Sequence, residues 1–142
     1  MSLNISKDAE AQRKLLRESH VIAVVGYSPD PTRTSYQIAA YLKRAGYKVY
    51  AVNPTVETID GEPAYANLAD IPESVDIVNV FRRAEHLPGV MADAVAVGAK
   101  AVWSQLGVVH ADAVRMAEEA CTPLVMDVCI KVAHARLIGA RI

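Results

Sequence analysis

Residues 21–36, VIAVVGYSPDPTRTSY, constrain the fold more than any other stretch of the chain. Five apolar residues, Val21 to Val25, run without polar alternation, as a strand covered on both faces does. The run stops at Gly26 and opens into a polar turn with two prolines, an arginine and several hydroxyls. Beyond it Ile38, Leu42 and Ala45 fall at helical spacing. Strand, glycine turn, helix is how an α/β sheet aims backbone N–H groups at a phosphate. The turn is not the dinucleotide fingerprint, because the G-x-G-x-x-G spacing from Gly26 falls on Ser28 and Pro31.

The same alternation continues to the end of the chain. Amphipathic helix is predicted over residues 8–19, then the strand Val21–Val25 and a helix from Ser35 to Ala45 closed by Gly46. A second strand, Lys48–Val52, stops at Asn53-Pro54. Residues 54–74 read as a connection with turn signals at Asp60-Gly61 and Ile71-Pro72 and a short helical turn near Asn67–Asp70. The third strand is Asp76–Val80, followed by a helix over Pro88–Val97. Strand four is Ala101–Ser104, with a helix over Ala111–Ala120. Strand five is Leu124–Met126, with a last helix over Ile130–Leu137. This pattern predicts one Rossmann-like α/β domain over residues 1–142. It would be a three-layer sandwich around a five-stranded parallel sheet in the order 3-2-1-4-5.

Composition removes several function classes. Of 142 residues, 52% are hydrophobic and 22% charged, so the chain can bury a core without metals or disulfides. A net charge of −1 gives no field to attract nucleic acid or a membrane surface, and one Phe and one Trp make no base-stacking platform. The polar N-terminus lacks the apolar core of a signal peptide, and no apolar run reaches spanning length. A cytoplasmic protein with Cys121 and Cys129 reduced is expected. The four histidines show no metal-ligand spacing.

In such a sheet, ligands sit beyond the carboxyl ends of the strands, beside strand one. Arg33 could add a bidentate fork for phosphate, and Thr34 or Ser35 could cap the helix, although a proline-stiffened turn needs no ligand. Strand two ends in Asn53 and Pro54. Dinucleotide binders place a carboxylate there, whereas a neutral amide tolerates a nearby phosphate or simply makes a turn. Phe81, Arg82 and Arg83 put a ring and two cations after strand three, either for a base and a phosphate or as core and solvated surface. Gln105, before Leu106-Gly107, is a candidate polar contact. Asp127, Cys129 and His134 form the one grouping that resembles a catalytic set, and a structural cysteine is the reading favoured over it.

VVGYSPDPTRTSYQIAAYL, YKVYAVNP, DIVNVFRR, GAKAVWSQLGV and MDVCIKVAHARL closely resemble the small CoA-binding proteins of bacteria and archaea. These are stand-alone relatives of the CoA-binding domain in the α subunit of succinyl-CoA synthetase. The resemblance implies coenzyme A bound across the strand ends, without chemistry from this chain. Gly26, Tyr27, Ser28, Arg33, Thr34 and Ser35 would cradle phosphates. Asn53 and Pro54 would line the nucleotide pocket, Phe81 and Arg82 would lie near adenosine or pyrophosphate, and Gln105 would lie toward pantetheine. The chain departs from the family at Thr34, often proline, and at Val128, often arginine. An enzyme using Cys129 on a nucleotide or acyl-CoA and an NAD(P)-binding oxidoreductase remain alternatives. A homo-oligomer or an acyl-CoA enzyme partner also stays open.

Overall fold

The computed structural model describes residues 2–139. Helix α1 (Ala9–Glu18) leads into β1 (Val21–Val25), α2 (Thr34–Arg44) and β2 (Lys48–Val52). Two short strands follow, β3 (Thr58–Ile59) and β4 (Glu62–Tyr65). The chain then alternates through β5 (Ile77–Val80), α3 (Leu87–Ala96), β6 (Ala101–Ser104), α4 (Ala111–Ala120), β7 (Leu124–Val125) and α5 (Ile130–Leu137). Among the described residues no helix is long and apolar enough to cross a membrane.

The sheet corrects the expected strand count and order. It has seven strands in the order β3-β4-β2-β1-β5-β6-β7, parallel except for the β3–β4 pair. The five expected strands therefore run 2-1-3-4-5, with the third on the other side of the first. The residues read as a plain connection explain this. Asp60 and Gly61 both have positive φ, 51° and 80°, so the D-G pair makes a type I′ hairpin turn. The hairpin lays β4 parallel against β2, Ala51 opposite Ala64. With that flank of β2 taken, β5 pairs with the open edge of β1, Ile22 opposite Ile77. Tyr36 of α2 donates its hydroxyl to the Asp60 carboxylate and ties the hairpin tip to the helix.

Side chains alternate across the buried strands. Ala23, Val25, Val78, Val80 and Val102 pack with Leu87, Val90 and Met91 of α3 and with Ala113 and Ala117 of α4. Ile22, Val24, Ile77, Trp103 and Val125 pack with Leu16 of α1, Ile38 and Leu42 of α2, and Ile130 and Ala133 of α5. Helices thus cover both faces, and no residue of β1, β5 or β6 is exposed. The rims at the strand ends are the places left for a ligand.

Candidate functional site

A cavity of about 470 Å³ opens at the carboxyl ends of β1 and β2 and on the α3 side of β5. Val25 and Gly26, Val52 to Thr55, Ala66 to Leu68, Arg82, and Val90 and Asp93 of α3 line it. Its volume is within the range of small-molecule sites.

Gly26 is fixed by the fold itself. Its φ is +88°, and a Cβ there would stand 2.4 Å from the Phe81 carbonyl oxygen. The glycine therefore lets β1 turn beside the end of β5, where the tight approach is to the Phe81 backbone. The loop after it is held by its own polar groups. Ser28 N–H donates to Ser35 Oγ at 2.9 Å, and Asp30 N–H donates to Ser28 Oγ at 3.1 Å. Hydrogen bonds from the Thr32 N–H and hydroxyl, helped by the Arg33 guanidinium, hold the Asp30 carboxyl below its ordinary value.

Arg33 is the N-cap residue of α2, and no side chain caps that helix. Neither Thr34 nor Ser35 is the cap: both lie inside the first turn, and the buried Ser35 hydroxyl clamps Ser28 instead. By position, the first-turn N–H groups of α2 have no intrahelical acceptor, and no acidic residue stands there. The end of α2 therefore favours an anion, and Arg33 and Thr34 are exposed beside it.

Asn53 joins the two turns. Its Nδ2 donates to the Tyr27 carbonyl at 3.0 Å, and its Oδ1 accepts from Thr55 N–H at 2.9 Å and Thr55 Oγ1 at 2.7 Å. Asn53 both lines the cavity and fixes its wall. A carboxylate there could not donate to Tyr27.

The other expected residues separate. Tyr27 is buried against α2, accepts from Lys43 Nζ at 3.0 Å and meets Tyr36 edge-on, so its side chain belongs to the core. Phe81 packs against the same core, away from the cavity. Arg82 is exposed, lines the cavity, and has no side-chain partner among the described residues. Arg83 instead meets Glu85 at 3.9 Å. The buried Gln105 Oε1 has no hydrogen-bond partner among the described residues and lies at the end of β6, outside the cavity lining. Of the expected site residues, then, the cavity gathers Gly26, Asn53, Pro54 and Arg82. Ser28, Arg33, Thr34 and Ser35 form the adjoining loop and helix start.

Cys129, His134 and Asp127, the grouping that resembles a catalytic set, each have further surroundings of their own. Cys129 is half-buried at the start of α5 beside a second cavity of about 320 Å³, lined also by Leu106, Val132 and Arg136. His134 is buried, with Nδ1 2.8 Å from the Tyr41 hydroxyl, and Asp127 accepts from Gly107 N–H at 2.7 Å. Among the described residues no group of three or more His, Cys, Asp or Glu is placed to hold a metal ion.

Reading strand ends alone missed Thr55, Ala66, Asn67, Leu68, Val90 and Asp93. The first four sit around the hairpin taken for plain connection. Val90 and Asp93 share a face of α3 by their i, i+3 spacing, a signal present in the sequence but not tied to a strand end.

Residues 20–135 match the model of the CoA binding domain. The chain belongs to the CoA-binding domain family. Uncharacterized protein YneT of Bacillus subtilis is 43% identical over 123 residues, 87% of this chain and 91% of that protein. A hypothetical protein from Pyrococcus horikoshii OT3 superposes with a TM-score of 0.91 at 34% identity, over 96% of each chain. The acetate–CoA ligase (ADP-forming) II subunit alpha of Pyrococcus furiosus is 42% identical over 57 residues, and the match spans 12% of that larger chain.

Proposed function

We propose that the protein binds coenzyme A, free or acylated, at the carboxyl ends of its sheet. The observation that carries this reading is a nucleotide-sized cavity whose cation, Arg82, has no side-chain partner among the described residues, with an uncapped helix start at Arg33-Thr34 on the loop that leaves Gly26. An Arg fork suits phosphate, and a helix start adds N–H donors and a favourable dipole. The apolar walls Val52, Leu68 and Val90 suit the base, and Arg82 in the lining with Arg33 at the start of α2 suits the phosphates. Gln105, with a buried oxygen awaiting a donor, lies further along the strand ends, where an amide-bearing pantetheine arm would run.

The chain's contribution is binding and positioning, and coenzyme A would supply the thiol that carries any acyl group. Asn53 and Ser35 hold the two walls in place before the ligand arrives, which reduces the ordering cost of binding. The test is isothermal titration of the reduced protein with coenzyme A. Saturable heat with a raised Tm is expected; no heat and no thermal shift at millimolar ligand would falsify the reading.

A further inference from the structure

Arg82 and Asp93 carry opposite charges and line one cavity, yet no ion pair joins them, and neither side chain has a partner among the described residues. Asp93 stands in the last turn of α3, whose range is Leu87–Ala96, and that turn holds no basic residue. A carboxylate at a helix C-terminus faces the negative end of the helix dipole. The helix therefore gains nothing from this charge at this position, and Asp93 is an exposed residue on the rim of the cavity. The walls around it are apolar, from Val52, Leu68 and Val90. A purine fits such walls, with flat apolar faces and hydrogen-bonding groups confined to its edge. An ionised carboxylate accepts hydrogen bonds and donates none.

We propose that Asp93 selects the base: its carboxylate accepts a hydrogen bond from the exocyclic amino group of the adenine of bound coenzyme A. Arg82 takes phosphate across the same cavity. A 6-oxo purine turns an acceptor oxygen toward the Asp93 carboxylate, which has no proton to donate, so the bond is lost, the two oxygens repel, and that base is disfavoured. The inference rests on the coenzyme A reading and adds to it the residue that sets base specificity.

Calorimetric titration of the wild-type chain and of Asp93→Ala, each with coenzyme A and with deamino-coenzyme A (hypoxanthine in place of adenine), tests it. The wild type is expected to prefer coenzyme A by about tenfold or more, as for a hydrogen bond to a charged group. In Asp93→Ala the two ligands should fall within about twofold of each other, a gap too small for such a bond. Alanine is a good helix former and removes an unfavourable charge, so its Tm should equal or exceed that of the wild type. Asp93→Asn, which keeps a neutral acceptor, should show an intermediate preference. An undiminished preference in Asp93→Ala, equal affinities in the wild type, or a lowered Tm in Asp93→Ala overturns the role of Asp93 while leaving coenzyme A binding intact. A wild type that binds neither ligand at millimolar concentration overturns the coenzyme A reading itself.

Discussion

Asp76, just before β5, and Asp93, on α3 beside the cavity, are two carboxylates whose surroundings differ in kind. At the amino ends of the strands, Asp76 Oδ2 accepts from His20 N–H at 2.8 Å and Val21 N–H at 2.9 Å, and Oδ1 faces Lys100 Nζ at 3.3 Å. Burial works against the charged form of Asp76, but the two backbone donors and the Lys100 ammonium overcome it and hold the carboxyl below its ordinary value. At the cavity, Asp93 and Arg82 are without side-chain partners among the described residues, and on the loop after Gly26 Arg33 begins an uncapped helix. One region uses charge to close the fold, and the other keeps charge facing open space. The partnered carboxylate is explained by stability, whereas the exposed charges beside the cavity do nothing for the fold and are free to meet a ligand.

The contrast breaks most severely at Gly26, where fold and site coincide. Gly26→Ala places a Cβ 2.4 Å from the Phe81 carbonyl oxygen at a φ of +88°. A loss of about 3–5 kcal/mol in urea unfolding is expected, with coenzyme A binding lost as well. A variant as stable as the wild type would show that the β1–β5 approach is looser than its geometry.

Asp76→Ala should cost about 2–3 kcal/mol by leaving two backbone N–H groups without their acceptor, and should leave coenzyme A affinity unchanged. Because the folded carboxyl sits below its unfolded value, its contribution is complete above about pH 4. That contribution disappears as pH falls through the folded value. Unfolding curves at neutral and at acid pH should therefore show the gap between wild type and variant closing on acidification. A gap that widens in acid would reverse the assignment.

Arg82→Ala should do the opposite of Asp76→Ala. Stability should stay within about 0.5 kcal/mol, while coenzyme A affinity falls by about tenfold. That loss should shrink as salt rises, since the site is open to solvent. A stability change without an affinity change would move Arg82 to the structural side of the contrast. The smallest effect is expected for Cys129→Ser, within about 0.5 kcal/mol in both stability and coenzyme A binding. A larger loss of binding would bring the second cavity into the site.

How far the site could be read varied from residue to residue. Gly26, Asn53, Pro54 and Arg82 were legible because each closes a strand, and a strand end in an α/β sheet marks the ligand side. Tyr27 and Phe81 stand at strand ends too, but their rings turn into the α2 side of the core. Which way a turn residue points depends on what the turn packs against, and sequence position alone does not carry that. Asp93 is a helical aspartate like many others until α3 is laid against the sheet.

The strands Val21–Val25, Lys48–Val52 and Ala101–Ser104 and the helices between them follow from apolar periodicity, glycine stops and prolines, all local properties of the chain. The sequence by itself therefore determined an α/β protein and pointed to the strand ends beyond Gly26 as its candidate ligand side. Only the tertiary structure decided the order of the strands, because a strand's neighbour depends on which edges are free when it docks. The Asp60-Gly61 hairpin filled the flank of β2, sent β5 to the other side of β1, and so placed the hairpin exit and α3 around the cavity.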